Sequence, residues 1–361
     1  MGFQLPHYNP PDFEKEPLFS APDAASQRVR KDGVAPDNYH ALSIYPEYFK
    51  VAGQWVLASE SRMDCVPVLA GDRSVQAVEF RNLRVGDRVI TGRTEDGSEG
   101  IFVYTNGFSS GESHSDLFAF RAGRSRETAY SKDYNNLYDL LRHEKENGYI
   151  VWVLGPAVVF DFDSRNALSS LIENGYAHAI LAGNAMATHD LEAGLLGTAL
   201  GQNIYTQESA PNGHYHHLDL INRARDAGSF EALIKRENIK DGVVYSAVKC
   251  SIPMVLAGSI RDDGPLPPVI GDSYRAQDEM RRHTRKATTL ICLATQLHTI
   301  ATGNMTPAYT QRDGKIRPVY IYCVDIAEFA VNKLRDRGTL EVTTIVTNVQ
   351  DFLVNLKNNL I

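Results

Sequence analysis

The second half of this chain is built on six short apolar runs, at 150–154, 179–181, 254–256, 289–293, 319–324 and 342–346. Helical patterns separate most of them, at 164–174, 189–197, 216–227, 229–237, 273–287, 328–337 and 350–359, after a first helix at 133–146 that ends at Gly148. A strand that is apolar throughout has no face to leave in water, so both faces of its sheet must be covered. Alternation with amphipathic helices supplies that cover and dictates a parallel α/β sheet.

Two of these runs meet the same small-residue corner. Ala179-Ile180-Leu181-Ala182-Gly183-Asn184 leads into Ala185-Met186-Ala187-Thr188-His189-Asp190, and Met254-Val255-Leu256-Ala257-Gly258-Ser259 leads into Ile260-Arg261-Asp262-Asp263-Gly264-Pro265-Leu266-Pro267. Glycine at a strand's carboxyl end lets backbone approach a ligand and lets a helix start with free N–H groups aimed at it. That edge of an open α/β sheet is where ligands bind. Taken singly, each glycine makes only a tight turn. Two such corners, with Gly303-Asn304 after the fourth strand, point to a nucleotide-type pocket.

Length and composition set the surroundings. At 361 residues the chain exceeds one ordinary core and fits two domains. Apolar content of 43% and charged content of 22% are those of a globular protein, and a net charge of −7 gives no general attraction to nucleic acid or anionic membrane. No run approaches the ~18 apolar residues of a membrane span. Met1–His7 lacks the basic and apolar regions of a secretory signal, so the cytoplasm is the expected compartment. Residues 1–36 read as an extended arm. Residues 37–130 read as a small β-rich subdomain, with strands near 48–51, 54–57, 75–80, 87–90 and 100–104, and with a polar connector at 105–130. Residues 131–361 form the α/β domain. In the connector, Arg121, Arg124 and Arg126 make either a solvated charge run or a clamp for phosphate or carboxylate.

Several residues carry candidate chemistry. The glycine-rich dinucleotide fingerprint is absent, and Pro156 after Gly155 removes an N–H that could have held phosphate. Asp325, ending the fifth strand, either holds a ribose diol or caps the next helix. Asp262 and Asp263, in a loop stiffened by glycine and proline, suit an ammonium group or acid/base work, or else a solvated turn. His298 lies near a strand end and is a proton-transfer candidate; a satisfied core histidine is the alternative. His214, His216 and His217 lack acidic or thiol neighbours at metal-ligand spacing, so no metal is expected. The four cysteines show no CxxC, so neither a disulfide framework nor a zinc site is expected.

These segments resemble the LOR/SDH-like family of archaea and cyanobacteria, which includes archaeal-type ornithine cyclodeaminases and the carboxyl-terminal part of bifunctional arginine dihydrolases. The matching stretches include Lys31–Tyr39, Met63-Asp64-Cys65, the Leu181–Asp190 corner, Gly213–His217, Leu256–Pro267, Leu297–Asn304 and Cys323–Ile326. The run Leu-Ala-Gly-Ser-Ile-Arg-Asp-Asp-Gly-Pro-Leu-Pro is highly specific. Two stretches depart from the family. Where it has His-Thr-Gly this chain has Phe160-Asp161-Phe162, and Val-Thr-Asp-Val-Gly becomes Val346-Thr347-Asn348-Val349-Gln350. The Phe160–Phe162 corner would narrow the pocket or bring another carboxylate to an amine.

The resemblance implies a Rossmann-like NAD-binding domain, similar to that of deoxyhypusine synthase, behind a small β-rich domain. It implies an NAD-dependent cyclodeaminase, with ornithine or a related basic amino acid giving ammonia through internal, redox-neutral hydride transfer. The alternatives are an NAD-dependent amino-acid dehydrogenase or imine reductase, and a non-catalytic NAD-binding homologue. On this reading Gly183, Asn184, Ala185, His189, Asp190, Gly258, Ser259, Asn304 and Asp325 bind the cofactor. Asp262, Asp263 and His298 serve substrate and proton transfer, with His217 a weaker candidate, and Asp64 and Cys65 close the pocket from the β-rich side. The expected partners are an amino-acid substrate and further copies of the chain, as a dimer or tetramer.

Overall fold

The computed structural model describes residues 3–109, 131–262, 264–312, 314–327 and 340–361. The amino-terminal region is antiparallel. A four-stranded sheet contains β1 (Ser26–Arg28), β4 (Cys65–Leu69), β5 (Val75–Glu79) and β6 (Arg88–Ile90) in the order β1-β6-β4-β5. A three-stranded sheet contains β2 (Glu47–Val51), β3 (Gln54–Leu57) and β7 (Ile101–Val103), with β2 central. Phe49, Val75, Ile90 and Ile101 fill the space between them. The amino-terminal stretch is woven into this unit. Leu18, Ala21 and Val29 are buried, the Trp55 indole N–H donates to Leu18 O, and β1 pairs with β6.

The remainder is a six-stranded parallel sheet of β8 (Ile150–Leu154), β9 (Ala179–Gly183), β10 (Met254–Ala257), β11 (Thr289–Leu293), β14 (Tyr320–Asp325) and β15 (Glu341–Val346). A short antiparallel hairpin, β12 (Tyr309–Arg312) and β13 (Lys315–Pro318), is inserted before β14. The spatial order is β10-β9-β8-β11-β14-β15. Numbered within the sheet this is 3-2-1-4-5-6, the Rossmann order, whose switch point lies between β8 and β11.

Side-chain alternation along the strands divides the core. Ile150, Trp152 and Leu154 point into one layer with α2 (Phe162–Glu173), α3 (Asn184–Leu196), α4 (His216–Ala227), α5 (Phe230–Glu237), α6 (Val243–Lys249) and α9 (Val349–Leu360). The first helix, α1 (Ser131–Asn147), lies in that layer too. Val151 and Val153 face the other, with Met280 of α7 (Ser273–Thr284) and Met305 of α8 (Gln296–Met305). Trp152 is fully buried, and its indole N–H finds Tyr176 O at 2.7 Å.

The β-rich region docks on α7 and on the end of α8. Arg81 meets Asp278 at 2.7 Å, Arg285 meets Glu60 at 3.0 Å, and Ala308 N–H donates to Ser61 O. Among the described residues no helix is long and apolar enough to cross a membrane. The helix expected at 328–337 and the arginine run of the connector lie outside the described residues.

Candidate functional site

The carboxyl ends of the parallel strands form a rim, and α3 begins on it. Gly183 is the helix's N-cap, with no side chain capping the first turn. The N–H groups of a first turn have no intrahelical partner, so here they face off the rim as a ready anion site. The helix starts five residues before its expected position, which puts Asn184 and Ala185 in that first turn. The Asn184 side-chain oxygen is already engaged. This Oδ1 accepts the Leu266 N–H at 3.0 Å and ties the loop after β10 across the helix start.

The second corner starts no helix. Gly258 N–H continues the β-pairing to Ile270 O at 2.8 Å, and the loop closes on itself. Asp262 Oδ2 accepts Ser259 N–H at 2.8 Å, while Ser259 Oγ accepts the Arg261 N–H. Asp262 is half-buried; Asp263 lies outside the described residues.

Across the rim, His298 comes from the first turn of α8. Its ring lies over Gly183, where a Cβ would stand 3.1 Å from His298 Cε1. Burial holds this imidazole below the usual histidine range, so it is neutral near pH 7 and can accept a proton. Among the described residues no hydrogen bond reaches its ring. Asp325 ends β14, and its Oδ1 accepts the Ala327 N–H two residues on, at 2.8 Å. Gly155, at the switch point, lies so close to the Ala294 carbonyl that a Cβ would overlap it.

Other expected site residues lie elsewhere. Asp190 is fully buried behind α3, where Arg165 Nε (2.8 Å), Val243 N–H (3.0 Å) and Val244 N–H (2.7 Å) saturate its carboxylate. It cannot face a cofactor. Asn304 sits in the last turn of α8, at the end away from the rim, because Gly303-Asn304 continues the helix where a corner was expected. Asp64 and Cys65 also lie toward that lower end. Cys65 pairs in register with Glu79, and Glu79 contacts Arg281 in the last turns of α7. Burial pushes the Cys65 thiol up to about 12 against the pull of Arg62, with Glu79 and Glu60 adding to the rise. A thiol held protonated is no nucleophile. Asp64 is exposed with a left-handed backbone, φ 63°. His217 is half-buried on α4. Asp161 N-caps α2, its Oδ2 accepting the N–H groups of Asp163 and Ser164 at 3.0 Å, which gives the carboxylate a helix-capping role.

Sequence reasoning passed over the apolar rim. Ile260, Leu297 and Ile326 are largely exposed at the ends of β10, β11 and β14. An apolar residue inside an otherwise polar strand-to-helix corner was the signal available for each. It also passed over Glu192, a fully buried carboxylate on α3 that meets His189 Nδ1 at 3.1 Å.

The sheet order defines a Rossmann-type α/β protein, and its carboxyl rim is the candidate site. The family described as arginine dihydrolase ArgZ-like, C-terminal, Rossmann fold matches residues 136–356. The ornithine cyclodeaminase of Methanopyrus kandleri is 37% identical over 331 residues, covering 91% of this chain and 76% of that protein. The bifunctional arginine dihydrolase/ornithine cyclodeaminase AgrE of Nostoc sp. is 36% identical over 343 residues, covering 94% of this chain and 47% of that one. Among solved structures, a LOR/SDH protein from Methanococcus maripaludis S2 is similar, with TM-score 0.80 at 35% identity over 94% of this chain and 97% of that one. The ternary complex of AgrE with ornithine and NAD+ gives TM-score 0.58 at 34% identity, over 95% of this chain and 46% of that one. The chain belongs to this ArgZ-like, LOR/SDH-like family.

Proposed function

We propose that the chain is an NAD-dependent ornithine cyclodeaminase, converting ornithine to proline with release of ammonia. The observation that carries the reading is the rim itself, where the uncapped start of α3 and the His298 ring meet over Gly183 in a fold shared with the ornithine- and NAD+-bound AgrE. The residues fit a dinucleotide. Free N–H groups at Asn184 and Ala185 suit a diphosphate, with Gly183 allowing its close approach, and Gly258 and Ser259 shape the neighbouring loop, their N–H groups being held by Ile270 O and Asp262 Oδ2. The Asp325 carboxylate stands at a strand end suited to a ribose diol, and Ile260, Leu297 and Ile326 offer apolar surface to flat rings. What NAD supplies when bound is reversible hydride acceptance, so the net conversion is redox-neutral.

The chain's own residues do the remainder. Asp262 and Asp263 offer negative charge to the substrate's ammonium groups. His298, neutral through burial, accepts and returns a proton at its free ring nitrogen. The test is incubation of the protein with L-ornithine and catalytic NAD+, measuring proline, ammonia and absorbance of NADH. Equimolar proline and ammonia without net NADH is expected. Stoichiometric NADH, or intact ornithine, rejects the reading.

A further inference from the structure

We infer that His189 is a second proton acceptor of this site, with Glu192 as the residue that positions it. The inference rests on the ornithine reading and adds a group to it. His189 lies one turn after Ala185 on the same face of α3, and helical side chains lean toward the helix start, here the rim. Ala185 is small, and the His189 side chain keeps about 10% exposure. Phe160, at the end of β8's connection, packs its ring against the imidazole with centroids 5.3 Å apart.

Glu192 fixes which nitrogen is available. Its Oε2 takes His189 Nδ1 at 3.1 Å and Leu200 N–H at 3.2 Å, while its Oε1 takes Thr198 Oγ1 and Gly201 N–H, both at 2.9 Å. Four donors on one buried carboxylate favour the ionised form. Burial alone would raise the Glu192 carboxyl, yet these hydrogen bonds bring it below the usual range. In the neutral imidazole an acceptor-only carboxylate places the His189 proton on Nδ1, which leaves Nε2 with a lone pair. Among the described residues no hydrogen bond reaches Nε2, nor is it a sealed, unpartnered atom.

The holder is purpose-shaped. Thr198–Ala199 and Gln202–Asn203 form a hairpin whose two turn residues, Leu200 (φ 52°) and Gly201 (φ 72°), are both left-handed. That strained turn is what aims two consecutive N–H groups at Glu192. Gly213 packs against it so closely that a Cβ on Gly201 would lie 2.5 Å from Gly213 carbonyl atoms. The titratable groups around His189 are Glu192 on its own helix and, through Thr198 Oγ1 at 2.8 Å, His216 of α4; Phe160 presents only its ring.

In the reaction one N–H bond of a substrate ammonium breaks, its electron pair stays on nitrogen, and an Nε2–H bond forms. Glu192 balances the imidazolium charge, and the proton leaves with the released ammonia as ammonium.

Two measurements test this. The ¹⁵N spectrum of the wild-type protein, recorded without substrate, is expected to show His189 as a single Nδ1–H tautomer, and His189 in E192Q as a mixture. Steady-state rates are expected to fall about 100-fold or more in H189N, with KM for ornithine within about threefold. In E192Q, kcat is expected to fall at least about tenfold through loss of the tautomer. An Nε2–H tautomer in the wild type overturns the inference, and so does wild-type turnover by H189N. Wild-type protein that leaves ornithine intact overturns the functional reading and this role together. Normal ornithine turnover with an unimpaired H189N overturns only this role.

Discussion

Arg165 Nε stands 2.8 Å from Asp190 Oδ1, with both side chains buried between α2 and α3. The same carboxylate caps the start of α6 through two N–H groups, and the guanidinium continues to Asp241 at 2.5 Å. One ion pair therefore pins three helices to each other.

Removing that pin has a large expected cost. Asp190→Ala leaves two N–H groups without an acceptor and Arg165 with only the exposed Asp241 as its anionic partner. The expected loss is about 3 kcal/mol, read as a lower urea midpoint. An unchanged midpoint would show the carboxylate is not part of the core.

The rim is tested from the side of its glycine. Gly183 has φ −95°, which any residue tolerates, so Gly183→Ala should fold. Its new methyl would stand 3.1 Å from His298 Cε1 and force the ring to give way. Displacing a proton-transfer group by a fraction of an ångström is expected to reduce ornithine turnover by about tenfold or more, with the melting temperature preserved. Turnover at the wild-type rate would remove the Gly183–His298 contact from the chemistry.

The six strands were legible because a strand buried on both faces has no choice of residue. Ile150–Leu154 and Thr289–Leu293 are apolar throughout except for Thr289. The helix Gln296–Met305 was not legible. Thr299, Thr302 and Gly303 are weak helix formers, and the helix is held by packing and by back-bonds such as Thr302 Oγ1 to His298 O at 2.7 Å. Misreading that helix as a corner is what carried Asn304 to the rim. Asp190 was misplaced for a related reason. With α3 beginning at Asn184, position 190 falls more than a turn down and faces Arg165. Glu192 was invisible because a glutamate in a helix ordinarily marks the solvent side; only the hairpin at 198–203 makes a buried carboxylate tenable.

Thiol reactivity should follow burial. Cys65, Cys292 and Cys323 are buried, and Cys250 is partly exposed. A mutual hydrogen bond with Cys292, together with burial, raises Cys323, as burial raises Cys65. Native-state alkylation at pH 8 is expected to modify Cys250 first, with the other three reacting only on unfolding. Peptide mass spectrometry gives the order, and early labelling of Cys65 would contradict its enclosure.

Asp161 separates a cap from a ligand. Its carboxylate holds two first-turn N–H groups of α2, so Asp161→Ala is expected to cost about 1 kcal/mol of stability. KM for a basic amino acid should stay within about twofold of wild type. A tenfold rise in KM would return the carboxylate to the substrate.

Acid sensitivity comes from three histidines. Burial holds His178, His283 and His298 below the ordinary value of about 6.5, with Lys286 adding to the effect on His283. The unfolded chain therefore binds protons before the folded one does as pH falls, and stability drops with it. The contribution is complete above about pH 6.5 and is lost progressively below it, ahead of the carboxylates Glu79 and Glu192, whose lowered values act at more acid pH. The urea midpoint is expected to be lower at pH 5 than at pH 7.5. His283, its Nδ1 2.8 Å from the Tyr149 hydroxyl, is one of these rings, so His283→Gln should flatten part of that slope. A midpoint that rises on acidification would reverse the sign assigned to these rings.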